Sequence, residues 1–283
     1  MEEKDWNMLT VLNEEMNITR AAKKLYTSQP ALSYRIKQLE QEFDIEILHR
    51  GNKGITFTPE GEYLVRYARE MQIKNRALKD HLSNMKEGLS GTLRIGSSSN
   101  YAHYELPDVL EKFIGNEKNV DVELVTGWSS NILEQLQNEK IHVAFIRGDL
   151  NWSGEKKLLQ KEELKVISIN ELSLSDLPKE NYIHYHTDPF LKTTIEKWWN
   201  DTFDMPMHQT MEVDRIDTSI ELVKRGLGIT IVPSLSVEAT KGIHTLPLKI
   251  NGEPIYRNTW LIYKKESLNL KVVKAFIEMM DES

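Results

Sequence analysis

"AAKKLYTSQPALSYRIKQLE", residues 21–40, sets small and apolar residues in two short blocks around a Ser-Gln-Pro turn. Thr19, followed by Arg20-Ala21-Ala22-Lys23-Lys24-Leu25, reads as an N-cap and a short helix. "YTSQP" ends that helix. Pro30 suits the first turn of a second helix, where its missing N–H leaves no bond unmade. In the second helix Ala31, Leu32, Ile36 and Leu39 are expected to face inward, with Ala21, Ala22 and Leu25 as further core. Ser33, Tyr34, Lys37 and Gln38 then face out. Two short helices joined by a tight turn make a helix-turn-helix.

Outward from this motif the pattern continues. Trp6, Leu9, Val11, Leu12 and Met16 lie near helical spacing, which predicts a first helix over 5–15. Downstream, "LHRGNKGITFTPEG" has glycines for a turn and Ile55-Thr56-Phe57 as a β segment, a wing. Residues 59–88 read as one long helix carrying Leu64, Tyr67, Ala68, Met71, Ala77, Leu78, Leu82 and Met85. At 1.5 Å per residue it would span roughly 40 Å, too long for one face of a small domain, so it reads as a dimerisation element. After "GLSGT" the character changes. "LRIGSSS", "VDVELVTG", "IHVAFIRG", "LKVISI", "NYIHYH", "HQTMEV", "GITIVP" and "NTWLIYK" are strand-like runs separated by helical stretches, an α/β alternation.

Composition narrows the class. The chain has 283 residues, 40% hydrophobic and 28% charged, enough for two or three ordinary globular domains. No apolar run is long enough for a membrane span, and "MEEKDWNMLTVLNEE" lacks the basic-then-apolar pattern of an export signal. The lack of cysteine excludes disulfides and thiolate metal sites, and with the other two features it makes the cytoplasm the expected location. A net charge of −7 argues against indiscriminate coating of nucleic acid. Locally the sign reverses: Arg20, Lys23, Lys24, Arg35, Lys37, Arg50 and Lys53 face four acids, Glu40, Glu42, Asp44 and Glu46.

Enzymatic signatures are missing. No G-x-S-x-G elbow and no phosphate-binding G-x-x-x-x-G-K-[ST] loop occurs, and "GLGI" at 226–229 suits a helix-to-strand turn. His103, His142, His184 and His186 show no metal-ligand spacing. Of Trp198 and Trp199, one is expected to pack in the core and the other to lie partly exposed. No catalytic residue, metal or cofactor is assigned. Two strand-to-helix junctions do point to a ligand. "GSSSN" offers Ser98, Ser99 and Asn100, and "TGWSSN" offers Ser129 and Ser130, with hydroxyls and backbone N–H groups suited to a carboxylate. Helix capping is the alternative role of each serine.

"ITRAAKKLYTSQPALSYRIKQLEQEFDIEILHR", "ITFTPEG" and the distant "ELVKRGLGITIVP" together resemble the LysR-type bacterial transcription regulators over almost the whole chain. The resemblance implies an α/β multidomain protein: an N-terminal winged helix-turn-helix, a linker helix, and a two-lobed effector domain like a periplasmic binding protein. The expected boundaries are 1–58 for the head, 59–90 for the linker and 91–283 for the effector domain. Lobe I then takes 91–161 with 265–283, and lobe II takes 162–264. In such a head the second helix enters the major groove. Gln29 and Ser33 would read bases, Tyr34 and Lys37 bases or phosphates, and Thr27 and Ser28 phosphates at the turn beside Pro30. Arg50 and Lys53 would serve the wing; solvated polar residues are the plain alternative for this whole set. The family often has Arg or Gln where Tyr34 stands, so no operator sequence transfers.

The resemblance places Arg147, at the end of "IHVAFIR", in the ligand cleft. Arg257 would add a second cation, or else serve a surface or inter-lobe salt bridge, and His186 and Thr187 of "HYHTDP" would close the site, with a solvent-exposed loop histidine as the alternative for His186. The expected partners are double-stranded operator DNA, further copies of the chain as homodimer or homotetramer, a small carboxylate effector and RNA polymerase. "LVTGWSSNILEQL", "AFIRGDLNW", "KWWND" and "VDRIDTS" are similar to the catabolite control regulators (catabolite control protein C/E type) of low-GC Gram-positive bacteria. That similarity implies citrate as effector and tricarboxylic acid cycle genes as targets. Another small acid or an amino acid is the alternative effector, and a two-lobed ligand-binding module that does not touch DNA is the alternative class.

Overall fold

A computed structural model describes residues 1–51, 54–149, 151–237 and 240–282, with only the backbone of Arg50. Lys53 lies outside the described residues. The chain divides into two units, Met1–Met85 and Lys86–Ser283.

The first unit opens with α1 (Glu3–Glu15), started by a reciprocal cap between Glu2 and Asp5 and burying Met8, Leu9, Val11 and Leu12. Helix α2 (Ile18–Lys24) is capped by Asn17, whose side chain accepts from Arg20 N at 3.0 Å. Thr19 is therefore inside the helix and is not its cap. Asn17 has the extended backbone a cap requires, and Asn ranks above Thr there. Helix α3 (Gln29–Phe43) starts at Ser28, whose hydroxyl accepts from Ala31 N at 3.3 Å, with Pro30 in the first turn. Leu32, Ile36 and Leu39 of α3 pack on Ala21, Ala22 and the partly buried Leu25. Ala31, expected inside, is exposed. At 100° per residue it lies a quarter-turn off the stripe that Leu32, Ile36 and Leu39 define.

The wing is a hairpin of β1 (Leu48–Gly51) and β2 (Gly54–Phe57), antiparallel, with Leu48 and Ile55 in the core. Helix α4 (Pro59–Asn84) is capped by the buried Thr58, which accepts from Gly61 N at 2.9 Å and donates to Glu46 O at 2.6 Å. A Cβ on Gly61 would stand 2.2 Å from the carbonyl oxygen of Ile47, so the glycine lets α4 lie directly on the strand entry. Only Gly61, Leu64, Val65 and Ala68 of α4 are buried; Tyr67, Leu78, Leu82 and the following Met85 are exposed. The helix stops at Asn84, short of the expected 88, ahead of Gly88 in a left-handed conformation.

In the second unit the chain runs through β3 (Gly91–Ser98), α5 (Ser99–Tyr104), α6 (Leu106–Asn116), β4 (Val120–Gly127), α7 (Ser129–Gln137) and β5 (Val143–Arg147). It continues with β6 (Glu155–Ser168), β7 (Tyr182–Tyr185), α8 (Pro189–Thr202), β8 (Gln209–Val213), α9 (Ile216–Lys224) and β9 (Thr230–Pro233). It ends with β10 (His244–Pro247), β11 (Lys249–Ile250), β12 (Glu253–Pro254), β13 (Tyr256–Tyr263) and α10 (Lys271–Asp281). The main sheet has the order β10-β6-β13-β5-β3-β4, with β9 also on β6. Strand β3 is parallel to β4 and β5, and β13 is antiparallel to β5 and β6.

Two cores mark two lobes. One gathers Leu93, Ile95, Phe113, Phe145, Leu261 and Phe276; the other gathers Leu164, Ile183, Trp198, Trp199, Ile229 and Ile231. Strand β6 passes between them, pairing with β13 up to Glu163 and with β9 from Leu164. The return crossing departs from the expected 264/265 boundary. Thr259–Tyr263 pair with Arg147–Val143, and Leu261 sits in the first core, so all of β13 and with it Arg257 belongs to lobe I. The first half of β6, "EKKLLQKEE", was not among the expected strands because its charges break the alternation; β13 supplies its ladder. Both tryptophans are buried, their indole N–H groups donating to Lys249 O at 3.0 Å and Met205 O at 2.7 Å. With both N–H groups satisfied, neither ring needs water. No described helix is long and apolar enough to cross a membrane.

Buried Asp5 clamps α1 to α3, taking two bonds from the Arg35 guanidinium at 2.6 and 2.7 Å. Burial raises the Asp5 pKa, but the bonds from Arg35 and from Glu2 N outweigh it, so the net direction is down. A carboxyl depressed in the folded state stabilises fully above its unfolded pKa of roughly 4, and the contribution fades as pH falls through the folded value. Asp5→Ala should destabilise the first unit by about 1–3 kcal/mol at neutral pH. Denaturant melts at pH 7 and pH 3 check this; the gap between wild type and variant should narrow in acid.

Candidate functional site

In the first unit the exposed residues at the start of α3 form the candidate nucleic-acid interface. Thr27, Ser28, Gln29, Pro30, Tyr34 and Lys37 are all exposed, and Lys37 has no ion-pair partner among the described residues. Ser33 is half-buried and accepts from Gln29 Nε2 at 2.9 Å, one turn apart on the same face. That bond leaves the Gln29 amide oxygen and the Ser33 proton available to a base edge. Ser28 accepts as the helix cap and keeps its own proton for a phosphate oxygen. The local basic surplus is smaller than the sequence count. Lys24 pairs with Glu14 and Glu15, Arg20 with Glu15, and Arg35 with Asp5. Sequence reasoning passed over Tyr26, which is 98% exposed beside the turn with a left-handed φ of 53°. An aromatic residue in an otherwise polar turn was the available signal.

In the second unit a cavity of about 550 Å³ opens between the lobes. Strand ends and helix starts build it, since in α/β sheets the loops at the carboxyl ends of strands diverge. Ser98, Ser99 and Asn100 come from the β3–α5 junction, Ser129 from the start of α7, Arg147 from the end of β5, and Arg257 from β13. His186 and Thr187 follow β7 in lobe II. The structure thus brings together every expected effector residue but one. Ser130 is not in the wall; it is the second residue of α7, where the helix turns it off the face Ser129 occupies. Ser129 is in the wall, but its hydroxyl accepts from Arg147 N at 2.9 Å and so fixes the backbone of the arginine.

Arg147 is 2% exposed, bonding Asn100 Oδ1 through Nη1 and Glu162 Oε2 through Nη2. Burial lowers its pKa and the nearby Arg257 guanidinium lowers it further, against the raising effect of Glu162. Arg257, also buried, is held by Asp188, whose other oxygen caps α8 through Phe190 N and Leu191 N at 3.1 Å each. Each buried cation therefore has one buried carboxylate, as burial demands. Four groups in this wall are buried with no hydrogen-bond partner in the described structure: Nε of Arg147, Nε of Arg257, and the hydroxyls of Ser98 and Tyr185. Burial raises the Tyr185 pKa, so its phenol stays protonated and can donate.

Across the mouth, Tyr104 donates to Asp217 Oδ1 at 3.0 Å, and Asn100 Nδ2 donates to Ser236 Oγ at 3.1 Å. Burial first, then the bond to Asp217, pushes the Tyr104 pKa up to about 12. His186 faces Glu212 at 2.8 Å. Sequence reasoning missed Glu162, Tyr104, Tyr185, Asp188, Asp214, Arg215 and Asp217. For Asp188 the Asp-Pro pair at a helix start was a usable signal of a cap; for Glu162, inside a charged run, there was none.

Residues 86–283 match the family described as LysR substrate binding domain, and residues 4–62 match the bacterial regulatory helix-turn-helix protein, lysR family. Among similar curated proteins, the uncharacterized HTH-type transcriptional regulator YraN of Bacillus subtilis (strain 168) is 41% identical over 281 residues. The match covers 99% of this chain and 97% of the relative. The uncharacterized regulator YkuM of the same organism is 30% identical over 285 residues, covering 100% and 97%. The solved structure of CbnR, a LysR family transcriptional regulator, superposes with a TM-score of 0.67 at 19% identity, covering 100% of this chain and 99% of that one. The full-length Vibrio cholerae virulence activator AphB gives 0.68 at 16% identity, covering 100% and 99%. At these identities the two structures show a shared fold.

Removing one member of the deepest ion pair strands the other. Glu162→Ala, which leaves the Arg147 guanidinium buried without its carboxylate, should cost about 3–5 kcal/mol. Arg147→Met combined with Glu162→Leu should recover most of that loss. Urea unfolding of the two variants against wild type measures both.

Proposed function

We propose, for a chain that belongs to the LysR family of DNA-binding transcription regulators, that a small carboxylate held between the lobes switches its grip on operator DNA. It is a regulator, not an enzyme, and we place its action in the cytoplasm. The observation that carries the effector reading is the set of four buried, unpartnered donors in the cavity wall, on Ser98, Tyr185, Arg147 and Arg257. Buried polar groups are normally satisfied, and groups that are not become the first to gain from a ligand. Donors without a matching acceptor select an acceptor-only ligand, which a carboxylate is.

On the DNA side, the start of α3 enters the major groove. Gln29 offers its amide to adenine and Ser33 its hydroxyl to several bases, while Tyr34, Lys37, Thr27 and Ser28 serve bases or phosphates around Pro30. Arg50 and Lys53 of the wing are assigned to phosphate or minor-groove contact by the family resemblance. The exposed stripe Tyr67, Leu78, Leu82 and Met85 supports pairing of two chains along α4. Pairs of such dimers would read symmetric half-sites. The ligand must bind one arrangement of the oligomer more tightly than the other, since equal affinity switches nothing.

Citrate, with control of tricarboxylic acid cycle genes, is the assignment that the likeness to the catabolite control regulators suggests, and citrate is the first acid to test. Thermal-shift titration of the full chain with citrate and other small acids is the direct experiment. Ser98→Ala should keep the melting temperature of the free protein, since no bond is lost. It should weaken acid binding about 5–10-fold, the worth of one hydrogen bond. If no small acid raises the melting temperature, the effector reading fails.

The DNA reading is tested separately. Lys37→Ala should weaken operator and non-specific DNA alike and lower the salt slope by about 1. Fluorescence anisotropy across a salt series reads both; an unchanged slope would remove Lys37 from the interface.

A further inference from the structure

We infer that the effector is amphoteric, carrying one carboxylate and one cationic nitrogen, an α-amino acid or a compound of the same charge pattern. The inference rests on the reading of the interlobe cavity as the effector site and narrows its chemistry. The charged lining is balanced: Arg147, Arg215 and Arg257 against Asp188, Asp214 and Asp217. What matters is which of these are already engaged. Deep in the cleft Arg147 faces Glu162 and Arg257 faces Asp188. That region offers spare donors but no spare positive charge. A ligand carboxylate would bring acceptor oxygens, and no further positive charge, to the residues that carry the four unpartnered donors.

A second or third carboxylate finds nothing comparable. The remaining arginine, Arg215, is exposed and pairs with Asp217 at 3.1 Å. At the mouth the unengaged charge has the opposite sign. Asp214 lines the cavity, is exposed, and has no ion-pair or hydrogen-bond partner among the described residues. Beside it in sequence, Asp217 completes an acidic edge that Tyr104 ties to lobe I. A tricarboxylate would therefore set surplus negative charge against Asp214, and a like-charge contact is repulsive. A ligand with its anion toward the buried donors and its ammonium toward Asp214 meets complementary charge at both ends. The volume of about 550 Å³ holds a molecule of that size.

The test is a thermal-shift screen of the full chain with the proteinogenic α-amino acids, their matching α-hydroxy acids, and amine-free acids including citrate and succinate. Calorimetry follows on any hit. The expected result is a saturable shift with at least one amino acid that its hydroxy acid, equal in size, does not produce. Asp214→Asn should then weaken that ligand more than tenfold without altering the melting temperature of the free protein, and Asp214→Glu should restore part of the affinity. Unchanged affinity in Asp214→Asn overturns the inference. Saturable binding by citrate or another amine-free acid, with none by any amino acid, overturns it while leaving the carboxylate cleft standing. No binding by any member of the screen overturns both.

Discussion

Two guanidiniums buried side by side govern the effector domain. Arg147 ends β5, and Arg257 lies on the neighbouring β13, close enough to disfavour the charge of Arg147. Such a pair is tolerable only with counter-charges brought in, and the fold brings them from outside lobe I's own helices. Glu162 stands where β6 is about to leave for lobe II, and its second oxygen accepts from Leu235 N at 3.1 Å. Asp188 is the cap of a lobe II helix. The bond from Arg257 to Asp188 thus runs between the lobes, and Glu162, which neutralises Arg147, is tied to lobe II through Leu235 N. Asn100 extends the pattern, accepting from Arg147 and donating to Ser236. The two guanidiniums proposed to meet the ligand also carry the bonds that seat one lobe on the other, so a ligand that competes for them would act on both.

The reading head shows a different economy. Its excess of basic residues is largely answered by acids of α1, through Arg35 to Asp5 and Lys24 to Glu14 and Glu15. These pairs hold α1 against the helix-turn-helix instead of projecting charge. Affinity for a polyanion then depends on few side chains, which suits a chain of net charge −7 that must choose sites and not coat DNA.

What could be read in the sequence was local. Pro30 announces the start of α3 because the first helical turn is settled within four residues. The buried stripe of Leu32, Ile36 and Leu39 follows from helical period alone. Arg147 was legible as the end of the apolar run "IHVAFIR", and its place in the cleft came from the family resemblance. The errors were those of near neighbours or of distance. Asn17 and Thr19 are both competent caps, and the choice between them depends on where α1 turns. The first half of β6 is a strand because β13 lies beside it, and its acidic and basic residues give no sign of that. Glu162 and Asp188 gain their roles from partners 15 and 69 residues away, a pairing that spacing does not encode.

Strand β6 runs for 14 residues, Glu155–Ser168, through both lobes. Its ladder changes partner between Glu163 and Leu164, from β13 on one side of the joint to β9 on the other. A strand in register cannot slide, because a slip of one residue turns every side chain to the opposite face. It can twist, since strands accept a wide range of twist at little cost. The effector domain is therefore mounted on a torsion bar. Twist about β6 can turn one lobe against the other, but the register does not let the lobes slide apart along it.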